Sequence, residues 1–217
     1  MIEIVQTAIQ LVLTSVCTIM AALGYMQRRE RAWILLGLFS GTYFLGDLYW
    51  MLVLLLYPDD PAFPDIANLN WYVSSYVFLL LLLSYVRDED TAGEFMPWQM
   101  LRRHPILWLV PVFTGSMCIF FMQWGAYLIN FLAAAFMTLI IMLTLDDFLL
   151  LRAQRLDNPR RNLYLVALLF CLTEYGLWTA SCLQAEDPSP GAYFCIHCML
   201  SCTFLLFPLA LRKVVRE

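Results

Sequence analysis

The chain has 217 residues, 62% of them apolar and 14% charged, and a net charge of -4. Soluble domains average about 45–50% apolar and about 25% charged residues, so this composition excludes a soluble enzyme and a disordered chain. With 13 basic residues against 17 acidic ones there is no positive surplus for phosphates, which excludes nucleic acid as a partner.

A helix that crosses a bilayer needs about 20 mostly apolar residues, because the hydrocarbon layer is about 30 Å thick and each residue rises about 1.5 Å. Seven segments qualify: 4–26, 32–57, 66–86, 105–122, 125–145, 163–183 and 192–211. Their apolar runs are continuous, without the alternation of a membrane sheet. The expected fold is an all-α integral membrane protein, one domain over residues 1–217 built as a seven-transmembrane-helix bundle in the lipid bilayer.

In chain order, the first segment has no basic region before it and is too long for a signal-peptide core, so it reads as a retained span. The second carries Gly37-xxx-Gly41, a close-packing motif expected to serve the bundle, with a homodimer as its alternative use. Residues 58–65 form a stiff acidic loop. Residues 87–104 are the longest connection, where Phe95, Met96, Trp98 and Met100 fit a short interfacial helix. The fourth segment is the shortest, and Pro111 is expected to leave it kinked or oblique. Asp146-Asp147 closes the fifth segment and reads as a solvated helix end, with extension through the apolar residues 148–151 as an amphipathic stem as the alternative. Residues 184–191 make a second acidic loop. In the seventh, Cys195, Cys198 and Cys202 share a face away from His197 and are expected to pack against a neighbouring helix.

All 13 basic residues fall in connections one, three and five or after the last segment. Basic loops stay cytoplasmic, so the amino end is expected outside and the carboxyl end inside, in the plasma membrane.

Asp47, Glu174 and His197 sit within apolar segments, about 15, 14 and 9 Å below their outer ends. A charge at that depth costs roughly 2.5–3.5 kcal/mol, so such groups face the bundle interior and are paired or neutralised. Asn70 and Asn130 fall in the same layer. Helical spacing adds Tyr43 and Trp50 to Asp47, Trp178 to Glu174, and Tyr193 to His197. These nine residues make a candidate binding cavity for a small ligand or cation, open to the outside. Interhelical hydrogen bonding is an equal alternative, each such bond giving about 0.6–2 kcal/mol. No basic residue lies in any segment, so only His197, a proton or a bound cation can neutralise the two carboxylates. His197 with Ser201 or a cysteine would be the only hydrolytic pair, and no nucleophile elbow or HExxH pattern accompanies it. No catalytic residue, metal ligand or cofactor is assigned.

Several local features fall in a suggestive order. They are Leu48-Tyr49-Trp50 ending the second segment, Asn70-Trp71-Tyr72 opening the third, and Arg102-Arg103-His104-Pro105 opening the fourth. The basic joint Arg160-Arg161 then precedes the sixth, and a basic tail follows the seventh. In this the chain resembles the seven-helix amino-terminal sensor regions of bacterial histidine kinases and related signalling proteins. The resemblance implies a sensor in the bacterial inner membrane that binds a ligand outside and signals to a cytoplasmic or membrane partner. The alternatives are a small proton- or cation-coupled transporter or carrier subunit, and, less favoured, an intramembrane enzyme acting on a lipid-like substrate.

Overall fold

The computed structural model describes residues 2–57, 65–87, 97–124, 127–153, 159–184 and 190–215. Every regular element among them is helical. Helix α1 is Ile2–Arg28 and α2 is Arg31–Leu56. Helix α3 begins at Asp65–Asn68, widens through a π-helical turn at Leu69–Ser74 and continues as Ser75–Val86. The short α4 is Pro97–Arg103. A 3-10 turn at Pro105–Trp108 leads into α5, Leu109–Phe121. Helices α6, Tyr127–Ala153, α7, Arg160–Gln184, and α8, Pro190–Val214, complete the chain.

Six of these, α1, α2, α3, α6, α7 and α8, are long and apolar enough to cross a membrane, which by composition makes the chain a multi-pass membrane protein. The fourth expected segment is the exception. Pro105–Phe121 is apolar but shorter, and at about 1.5 Å per residue it extends roughly 25 Å, less than the hydrocarbon thickness. Pro111 lies in the first turn of α5, where a missing N–H costs a helix little, and α5 continues past it to Phe121.

The six long helices close a ring. Helix α1 packs on α2, α2 on α3, α3 on α6, α6 on α7, α7 on α8, and α8 again on α1. Helix α5 lies against α6 outside this ring, joined to it by the Thr114–Thr138 hydroxyl pair at 2.6 Å, and reaches α7 where Phe113 meets the Tyr175 ring at 5.7 Å. Gly37 and Gly41 face α1: a Cβ on either would lie 3.6 Å from Ala21 and 3.8 Å from Thr18 respectively. The expected close-packing motif thus serves the bundle, and Thr18 donates to Ser40 across the same contact at 2.9 Å.

The ring is filled by aromatic side chains. Phe39 of α2 lies 5.3, 5.4 and 5.1 Å from Phe170, Phe204 and Phe207, and Tyr76 of α3 closes on Phe170 at 6.0 Å. The outward faces carry Val12, Ile19, Leu45, Leu52, Leu128 and Leu172, all exposed. Apolar outside and partly polar inside is the arrangement a lipid surround demands.

Two expectations fail here. Asp146 and Asp147 are not a solvated helix end: both are buried, because α6 runs on to Ala153 and α3 delivers Arg87 onto them. Cys195 and Cys202 do not pack on a neighbour either. Helix α8 meets the bundle through Leu200, Ser201, Phe204 and Phe207, which turns both cysteines to the exposed face and leaves Cys198 half-buried. The expected interfacial helix is present in part as α4, with Trp98 exposed, Arg102 over its ring at 5.0 Å, and Met100 buried. Phe95 and Met96 lie outside the described residues, as do 58–64 and 185–189 of the two acidic loops.

Candidate functional site

The described Arg and Lys residues gather at one end of the ring. Arg28 closes α1, Arg31 opens α2, Arg87 follows α3, Arg160 opens α7, and Arg212 and Lys213 lie in the last turn of α8. A cavity of about 220 Å³ lies at the other end, where α1, α3 and α8 begin and α2 and α7 approach their ends. Its walls are Glu3, Gln6, Thr7 and Gln10 of α1, Tyr43, Asp47 and Trp50 of α2, Asn68, Trp71 and Tyr72 of α3, Leu177 of α7, and Tyr193 and His197 of α8.

Asp47 anchors one wall. It is fully buried, Thr14 Oγ1 donates to its Oδ2 at 3.1 Å, and Trp71 Nε1 donates to its Oδ1 at 2.9 Å. The π-helical turn of α3 sets that indole. The amide N–H of Ser75 reaches back five residues to the Asn70 carbonyl, and the Ser75 hydroxyl bonds the Trp71 carbonyl. Such wide turns recur at functional sites because they rotate one side chain out of the regular helical sequence. At the mouth, Trp50 Nε1 donates to Glu3 Oε1 at 3.1 Å.

Glu174 sits one step below. Tyr43 lines the cavity and donates its hydroxyl to Glu174 Oε1 at 2.6 Å, while the buried Oε2 has no hydrogen-bond partner. Trp178 also lies behind the wall. It stacks on Tyr72 at 4.6 Å on one side and on Phe121 of α5 at 4.9 Å on the other, so it holds a lining ring in place. Two lining groups are buried with an atom lacking a partner: Gln6 Nε2 and His197 Nδ1.

Of the nine residues expected at the site, Asp47, Tyr43, Trp50, Tyr193 and His197 line the cavity, and Glu174 and Trp178 support it. Asn70 does not join them; its side chain bonds the Ile66 carbonyl of its own helix at 2.9 Å. Asn130 is buried where α6 meets α5, and its carbonyl accepts the Cys118 thiol at 3.7 Å. The α1 wall was not anticipated. Its signal was present in the sequence: Glu3, Gln6, Thr7, Gln10, Thr14 and Thr18 recur at spacings of three and four, a continuous polar face in an apolar segment.

The His197–Ser201 pair does not form. Ser201 Oγ donates at 2.8 Å to the main-chain carbonyl of His197, not to the imidazole. Among the described residues no three His, Cys, Asp or Glu side chains converge as a metal site.

The arginine end carries an ionic cluster of its own. Arg87 Nη2 lies 2.9 Å from Asp146 Oδ2 and its Nε 3.2 Å from Asp147 Oδ1. Arg103, the last residue of α4, and His104, which follows it, reach Asp146 at 3.5 and 3.8 Å. The cluster ties α3 and the α4 region to α6 at the end opposite the cavity.

Gly46 tests the cavity geometry. A Cβ there would lie 2.6 Å from Trp71 Nε1 and 3.2 Å from the Ala67 carbonyl. Gly46→Ala is expected to displace the indole from Asp47 and cost about 1–3 kcal/mol as overpacking, with a shifted tryptophan emission. Gly115→Ala, where nothing lies within 4 Å, is the control and should leave both unchanged or raise stability slightly. Equal effects at the two positions would contradict the placement of Trp71.

No family model, curated protein or solved structure matches this chain.

Proposed function

We propose that the chain is a receptor-like membrane protein of seven spans, with its amino end outside the cell and its carboxyl end in the cytoplasm. In this reading a small ligand or cation binds the cavity, and a change in helix packing passes to a cytoplasmic or membrane partner. The observation that carries it is the polar cavity itself: buried Asp47, Gln6 and His197 converge at the end of the ring opposite the described Arg and Lys residues. Basic ends stay inside, which turns the cavity outward. Helix α5 completes the seventh crossing by local thinning of the bilayer around a short segment.

A receptor is favoured over a transporter because the ring is filled below the cavity. Phe39, Phe170, Phe204 and Phe207 occupy its centre, and the Arg87–Asp146–Asp147 cluster ties α3 to α6 at the far end. The ligand must prefer one of two helix arrangements for any signal to result.

Two measurements test the reading. Fusions after Val215 should give a fluorescent cytoplasmic reporter and an inactive alkaline phosphatase; the reverse pattern overturns the orientation. Proteoliposomes should accumulate neither labelled choline nor labelled sodium above empty vesicles. Uptake that disappears in Asp47→Asn and Glu174→Gln would replace the receptor reading with a transporter.

A further inference from the structure

We infer that the cavity ligand is a small organic ammonium ion bearing one hydrogen-bond-accepting oxygen, an amino alcohol about the size of choline. The inference rests on the reading of the cavity as a ligand site and names what that site selects.

Charge gives the first argument. Two carboxylates, Asp47 and Glu3, line the cavity, and no Lys or Arg is among its described lining residues. Asp47 is fully buried, and the side chains that hydrogen-bond it, Thr14 and Trp71, are neutral donors. A buried carboxylate is costly without a positive partner, and a cationic ligand supplies one. An anion, or the carboxylate of an amino acid, would enter a space with nothing to compensate it.

The walls then select the kind of cation. Trp71 is the centre of an aromatic set: Tyr43 lies 6.4 Å from it, Trp50 6.4 Å away at 72°, and Tyr72 6.2 Å away at 65°. All four rings line the cavity, and aromatic walls favour an alkylammonium group, which gains cation–π attraction and needs no ordered coordination shell. A divalent metal is less well served, because among the described residues no three His, Cys, Asp or Glu side chains converge to hold one.

The unpartnered groups add the oxygen. Gln6 Nε2, on a side chain only 3% exposed, lines the cavity with its N–H groups unanswered. A bare tetraalkylammonium would leave that donor unsatisfied; a hydroxyl oxygen on the ligand answers it. The volume, about 220 Å³, is below the range of drug-sized pockets and suits so small a molecule.

The same chemistry is available from free amino alcohols and from the headgroup of a choline or ethanolamine lipid. The test uses the full chain in nanodiscs of phosphatidylglycerol, with binding followed by tryptophan emission and calorimetry. The probes are choline, tetramethylammonium, the neutral isostere 3,3-dimethylbutan-1-ol, acetate, sodium and calcium. Choline is expected to bind about tenfold or more tighter than its neutral isostere. Asp47→Asn should remove that preference while the isostere's own affinity stays constant, which also shows that the variant is folded. Gln6→Leu should weaken choline severalfold and leave tetramethylammonium unchanged. Loss of free choline binding in phosphatidylcholine nanodiscs would support the ammonium class and assign its source to lipid; retention would support a free ligand.

Equal binding of the neutral isostere, tighter binding of acetate, or unchanged choline affinity in Asp47→Asn overturns the ammonium assignment and leaves the cavity a ligand site. Tighter binding of sodium or calcium overturns it in favour of an inorganic cation. Absence of binding by every probe overturns it as well, while the receptor reading stands or falls on the topology and uptake measurements.

Discussion

Replacing Arg87 by alanine is expected to destabilise the folded chain by about 3–5 kcal/mol, because it strands two buried carboxylates. The Arg87 side chain is 2% exposed, Asp146 0% and Asp147 4%, and the guanidinium reaches both acids, at 2.9 and 3.2 Å. Without it, Asp146 keeps only the longer approaches of Arg103 and His104, at 3.5 and 3.8 Å. Thermal unfolding in nanodiscs measures the loss. Arg103→Ala is the comparison: that side chain is 32% exposed, and its removal should cost about 0–1 kcal/mol. If the two variants unfold alike, Arg87 does not hold the cluster. The consequence is positional, since this cluster joins α3 to α6 at the end opposite the cavity.

The second large effect is expected at Phe39. Phe39→Ala should cost about 3–5 kcal/mol, the range for removing a large aromatic from a core that cannot collapse around the gap. In lipid the loss is mainly of dispersion contacts, since the surrounding hydrocarbon is as apolar as the side chain. Phe39 touches Phe170, Phe204 and Phe207 at ring separations of 5.1–5.4 Å and is fully buried, so α2, α7 and α8 all lose packing together. Leu45→Ala on the outward face of the same helix, 53% exposed, should change stability by less than about 0.5 kcal/mol. The same unfolding measurement decides it; a larger loss at Leu45 than at Phe39 would mean that α2 is turned the other way. Tyr43 stands one turn from Phe39, between Glu174 and the cavity, so Phe39→Ala should also loosen the cavity floor.

Particular residues show how far the sequence could be read. Asp47 and His197 are ionisable groups in apolar helices, and the cost of exposing them to lipid required that they turn inward. Their helical neighbours Tyr43, Trp50 and Tyr193 came with them, since residues three or four apart share a face. That logic fails for Asn70 and Asn130. An amide can satisfy itself on its own helix, as Asn70 does on the Ile66 carbonyl, or at any helix contact, so depth alone says nothing about where it points. Glu174 is fully buried as expected, yet the Tyr43 hydroxyl stands between it and the cavity.

The α1 wall was legible and unread, because Gln and Thr cost less in an apolar segment than a carboxylate and drew no notice beside one. The Arg87 cluster was illegible in a stronger sense. Its partners lie 59 and 60 positions away, and Asp146-Asp147 at the end of an apolar run looks like any hydrated helix terminus.

Composition and run length by themselves determined that this chain is helical and suited to a membrane. In hydrocarbon every backbone N–H and C=O must be paired within the segment, and long apolar runs leave the helix as the solution. Only the tertiary structure decided which helices are neighbours, that α5 stands outside the ring of six, and that one π-helical turn aims Trp71 at Asp47. Those outcomes depend on how side chains of similar hydropathy interlock, and hydropathy does not encode interlocking.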